Sequence, residues 1–119
     1  MAEGYLTTHV LDTSRGVPAE GIKVVLFRLV GTSYHKIAEA MTNADGRTNQ
    51  PILPADSFTT GQYELVFDCD PYHRRHGAVS EDMSFLTSIP IRFGVSDENA
   101  HYHVPLLLSP FGYSTYRGS

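Results

Sequence analysis

Histidine and arginine supply most of the chemistry open to this chain. In 101–109, Tyr102, Val104, Leu106 and Leu108 alternate with His101, His103, Pro105 and Leu107. A period of two is the mark of a strand, so both histidines leave the core face together. His9 does the same in 5–12, where Leu6, Thr8 and Val10 take one face and Tyr5, Thr7 and His9 the other. Imidazole titrates near pH 6.5 and can take or give a proton at neutral pH. Any one of these histidines reads most simply as a solvated surface residue. Two of them on a face shared with Pro105 and Leu107 suggest an outer face covered by a ligand or another subunit.

The other reactive residues are weaker signals. His101 and His103 at i, i+2 resemble half of a zinc site, with His9 as a third ligand. No cysteine or closely spaced acid accompanies them, so no metal is expected. Arg47 follows Asp45-Gly46. Its planar fork could grip a carbonyl or an anion, although spacing alone makes it a solvated hairpin arginine. His73-Arg74-Arg75-His76 reads as a solvated helix face, and Cys69 has no nearby base in sequence to make it a nucleophile. There is no glycine-rich phosphate loop and no Gly-x-Ser-x-Gly elbow.

The elements that must position these residues are nearly all strands. Strands are expected at 5–12, 22–30 (apolar enough to be buried on both faces), 34–42, 62–68, 87–95, 101–109 and 112–118, with a short one near 48–53. Asp45-Gly46 marks a tight turn. Asp70-Pro71 predicts a helix start, with Asp70 capping and Gly77 stopping the helix after about two turns. Pro105 lacks a ladder donor, so it requires a bulge or a non-hydrogen-bonding position. The C-terminal Ser109–Ser119 keeps β-forming residues almost to its end and is expected to be tied into a sheet. Seven or eight short strands with turns between them predict an all-β antiparallel sandwich.

Composition narrows the function classes. The 119 residues fit one domain, 1–119. Nine Lys and Arg against 13 Asp and Glu give a net charge of -4, which disfavours nucleic acid. No apolar run approaches the length of a membrane span. The single cysteine allows no intrachain disulfide and fits a reducing compartment. The N-terminus has neither a basic nor an apolar leader region, so a cytoplasmic location is expected, with the peroxisome as the eukaryotic alternative.

The chain resembles the 5-hydroxyisourate hydrolases, also called transthyretin-related proteins, over its whole length. The residues that carry the resemblance are Thr8-His9-Val10-Leu11-Asp12, Arg15-Gly16, Pro18-Ala19, Val24 to Leu29, Asp45-Gly46-Arg47, the run from His101 to Pro110, and the terminal Tyr116-Arg117-Gly118-Ser119. The tetrapeptide and His103-Val104-Pro105-Leu106-Leu107 are the specific parts. The resemblance implies a transthyretin-like sandwich of two four-stranded sheets with one short helix. It implies a homotetramer, a dimer of dimers, with active sites in a channel between the dimers. It also implies that His9, Arg47, His103 and Ser119 are catalytic and that His9, Arg47 and Tyr116 contact the substrate; His101 stands outside that set, and the resemblance carries no role onto it.

The implied reaction is hydrolysis of 5-hydroxyisourate, in urate catabolism, to 2-oxo-4-hydroxy-4-carboxy-5-ureidoimidazoline, with no metal or organic cofactor. Two other readings belong to different classes: a transthyretin-like carrier of a small hydrophobic ligand in the same channel, and a sandwich used only for protein interaction. The carrier branch differs at the histidine, arginine and tetrapeptide positions, which here are all of the hydrolase type.

Overall fold

The alternating pattern resolves into eight strands and one short helix in a computed structural model of the chain, which describes residues 3–77 and 82–119. The strands are β1 (Tyr5–Asp12), β2 (Val17–Pro18), β3 (Lys23–Val30), β4 (Ser33–Met41), β5 (Gly61–Asp68), β6 (Ser88–Val95), β7 (His101–Ser109) and β8 (Gly112–Thr115). They form two four-stranded sheets, in the orders β2-β1-β7-β8 and β4-β3-β5-β6. Every pairing is antiparallel except β1 with β7, which run parallel.

The core lies between the sheets and follows the period of two. Leu6 and Val10 of β1 and Leu106 and Leu108 of β7 face Val24 and Leu26 of β3, Leu65 and Phe67 of β5, and Ile89 of β6; all are essentially inaccessible. Each such side chain contributes about 1.5–3 kcal/mol of hydrophobic stabilisation. This face is fixed in the sandwich, so the opposite face of β1 and β7 must carry the other alternates, His9, His101 and His103 among them.

Several local expectations need correction. Strand β3 is buried on one face only; Val25, Phe27 and Leu29 on the other face are half-buried. No strand forms over 48–53. That segment instead touches β1 through single bridges at its ends, Arg47 to His9 and Leu53 to Leu6. Asp70 does not cap the helix. The backbone of Cys69 is already helical, so Asp70 opens helix α1 (Asp70–Arg75) from inside it. Its carboxylate accepts bonds from the Ser84 N–H and hydroxyl and from Arg74 Nε, which pull its pKa down to about 2. The last strand stops at Thr115 rather than reaching 118. Ala55–Ser57 adds a 3-10 turn, and Val17–Pro18 a two-residue edge strand, that the pattern does not show.

Candidate active site

The floor of the site is the outer face of β1 and β7. Their parallel register sets Tyr5 beside His101, Thr7 beside His103 and His9 beside Pro105. Residues of one parity share a face, so all six stand together. Tyr5 stacks on His101 with ring centroids 4.1 Å apart and planes 11° from parallel. The Thr7 hydroxyl lies 2.6 Å from His101 Nε2 and 2.7 Å from His103 Nδ1. The His9 and His103 rings are 6.5 Å apart.

One wall is the turn after β4. Asn43 organises it: its side-chain oxygen accepts the N–H groups of Asp45 and Arg47, and its backbone N–H donates to the Arg47 carbonyl at 2.7 Å. Gly46 then bends at φ +76° and passes so close to β1 that a Cβ would stand 2.3 Å from the Val10 carbonyl. Only glycine meets both conditions. Arg47 is thereby bridged to His9. The Asp45 carbonyl can only accept, so the 2.8 Å contact with His9 Nε2 places a proton on that nitrogen and leaves Nδ1 as the acceptor of neutral His9.

The opposite wall is the C-terminus. Thr115 Oγ1 donates to the Pro105 carbonyl, and Gly118 N–H donates to the His103 carbonyl at 2.8 Å. N–H and C=O of one strand residue point the same way, so the donor missing at Pro105 faces β8. No bulge is needed, because the ladder breaks there: Tyr116 and Arg117 leave the sheet and Gly118 returns to it. Arg117 lies over the Tyr102 ring, 4.1 Å from its centroid. The return brings Ser119 into a cleft of about 290 Å³ with Arg47, His101, His103, Thr7 and Tyr5. That volume is at the small end of ligand sites.

The electrostatics favour neutral imidazoles. Burial lowers the pKa of His103, and the charge of Arg47 and the neighbouring His101 and His9 lower it further. Burial and Arg47 likewise lower His9, only partly opposed by Asp45. A neutral imidazole beside a permanently charged guanidinium is a base beside an anion receptor. Among the described residues, no three His, Cys, Asp or Glu side chains converge as metal ligands would. His101 Nε2 and His103 Nδ1 are both engaged by the Thr7 hydroxyl.

Of the residues singled out in the sequence, Arg47, His103 and Ser119 line one cleft, with His9 adjoining through the Arg47 bridge. Tyr116 lies elsewhere, on a cavity of about 310 Å³ with Arg92, Phe93, Tyr102 and Arg117. Residues the sequence did not flag are Thr7, Tyr5 and Asn43. Thr7 and Tyr5 share the face of His9 in the strand pattern, which was a usable signal. Their pairing with β7 was not visible.

Residues 6–118 match the sequence profile of the HIUase/Transthyretin family. The chain is 54% identical over 116 residues to 5-hydroxyisourate hydrolase 2 of Rhizobium meliloti, covering 98% of this chain and 97% of that protein. It superposes on (S)-allantoin synthase with a TM-score of 0.90 and 45% identity, covering 99% of this chain but spanning only 44% of that longer one. It superposes on sea bream transthyretin in complex with thyroxine with a TM-score of 0.85 and 26% identity, covering 95% of this chain and 93% of that one.

Proposed function

The chain belongs to the HIUase/Transthyretin family, and from that premise we propose that it hydrolyses 5-hydroxyisourate, in the course of urate breakdown, at the cyclic amide between N1 and C6. The observation that carries this reading is the convergence of Arg47, His103 and Ser119 on one cleft. A relative at 54% identity that is named 5-hydroxyisourate hydrolase favours the enzyme over the carrier, whose thyroxine-bound example is 26% identical.

In this reading neutral His103 takes a proton from water, or orients it, through Nε2. The resulting hydroxide adds to C6, and the oxyanion that forms is held by the Arg47 guanidinium. Such a donor lowers the barrier by about 3–4 kcal/mol when placed where charge develops. The C6–N1 bond then breaks, N1 takes up a proton, and C6 leaves as the carboxylate of 2-oxo-4-hydroxy-4-carboxy-5-ureidoimidazoline. His9 partners His103 and contacts the substrate, and Ser119 positions the water. The steps call on no metal and no organic cofactor.

The same reading makes the protein a homotetramer, a dimer of dimers, acting in the cytoplasm or in a eukaryotic peroxisome. The half-buried histidine face of β1 and β7, and separately the exposed Phe111 and Tyr113 at the β7–β8 end of the same sheet, support an assembly. Any contact of Tyr116 with substrate is then made across an interface between copies.

The test is the ultraviolet decay of freshly generated 5-hydroxyisourate with and without protein, at a concentration where light scattering reports four times the chain mass. Faster decay supports the reading, and equal decay rejects it.

A further inference from the structure

The Thr7 hydroxyl has a single proton and is within hydrogen-bond distance of two imidazoles, His101 at 2.6 Å and His103 at 2.7 Å. Its proton can serve only one of them. If it goes to His101 Nε2, the Thr7 lone pair faces His103 Nδ1. That nitrogen must then carry a hydrogen, because two lone pairs 2.7 Å apart would repel. Neutral His103 then has a bare Nε2. If the proton goes to His103 Nδ1 instead, Nε2 is protonated and the ring is a donor with no base to offer.

We propose that Thr7 and His101 are positioning residues: the hydroxyl shared between the two imidazoles keeps the His103 proton on Nδ1, leaving Nε2 to act on water, with His101 as the end of the chain. This rests on the reading of His103 as the base.

The two states of the chain are joined by balanced transfers. The water O–H proton goes to His103 Nε2, the Nδ1 proton to Thr7 Oγ1, and the Oγ1 proton to His101 Nε2. One bond breaks and one forms at each step. The positive charge then rests on His101 and not on His103, where Arg47 and His9 oppose it. The stack of Tyr5 on His101 holds that ring with Nε2 toward Thr7. His9 is not part of the chain, because its Nε2 proton is fixed on the Asp45 carbonyl.

The test combines nitrogen-15 NMR of histidine-labelled protein with steady-state kinetics on 5-hydroxyisourate. Wild type should show His103 protonated at Nδ1. Thr7→Val, of nearly the same shape, should shift that ring toward the Nε2 tautomer and lower kcat roughly tenfold or more with KM little changed. Thr7→Ser should restore both the tautomer and most of kcat. His101→Phe, which keeps a ring on Tyr5, should lower kcat as Thr7→Val does, and it reads the same coupling if Thr7→Val fails to fold. The proposal is overturned if Thr7→Val leaves the tautomer unchanged, if Thr7→Ser falls as far as Thr7→Val, or if His101→Phe runs at the wild-type kcat. Absence of wild-type turnover would instead reject the hydrolase reading, while the tautomer, measured without substrate, still decides the role of Thr7.

Discussion

Gly118 is pressed against the ring of His103. Its N–H donates to the His103 carbonyl at 2.8 Å, and a Cβ on it would stand 2.5 Å from His103 Cδ2. The glycine is required for proximity, and it holds the terminal Ser119 at the mouth of the histidine cleft. Gly118→Ala should therefore leave the sandwich intact by circular dichroism while displacing either the imidazole or the terminus. A fall in kcat of tenfold or more is expected, toward the roughly 10²-fold that a misplacement near 1 Å can cost. Wild-type kcat in this variant would mean that the contact is incidental to turnover.

His103→Asn keeps the size of the side chain and a hydrogen bond to Thr7 but removes the base. A general base contributes about 10²–10⁴-fold. The variant should assemble as wild type by light scattering and lose kcat in that range. Near-normal turnover would move the base to His9.

Gly46→Ala tests the turn that delivers Arg47. A left-handed backbone costs a non-glycine residue about 1–2 kcal/mol, and the clash with the Val10 carbonyl adds to it. Urea denaturation should show a loss of at least that size. The rate should fall as well, since Arg47 is bridged to His9 through this turn. A destabilised variant with full activity would show that Arg47 reaches the cleft without the turn.

Acid should destabilise the fold as pH falls below about 6.5, through its histidines. His73 is 3% exposed, and its Nε2 has no hydrogen-bond partner among the described residues. Burial lowers its pKa, opposed in part by Asp12 and Asp70. Burial also lowers His76, His9 and His103. A lowered pKa means that the unfolded chain binds more protons. The stability these groups contribute is complete above about pH 6.5 and is lost as pH falls toward their folded values. Asp12 and Asp70, also lowered, act only below about pH 4. His73→Leu should flatten the slope of stability against pH in this window by up to about 1.4 kcal/mol per pH unit. An unchanged slope would show that His73 does not contribute to it.

The alternation in 5–12, 62–68, 87–95 and 101–109 determined by itself which residues face the core, because a strand has one period and burial selects one of its two faces. It also determined that His9, His101 and His103 lie outside the core, and Asp45-Gly46 marked the turn before Arg47. The terminal tetrapeptide and the His103–Leu107 run carried the family resemblance. Tertiary structure alone decided that β1 lies parallel to β7, which makes Thr7 a neighbour of His103 although they are 96 residues apart. Strand pairing across such a separation is set by how two sheets close over one core, and no local pattern encodes it. For the same reason Asp70 gave up its cap to bind Ser84, and the terminal strand broke opposite Pro105 to bring Ser119 back to the site: each depended on a partner that only the folded chain supplies.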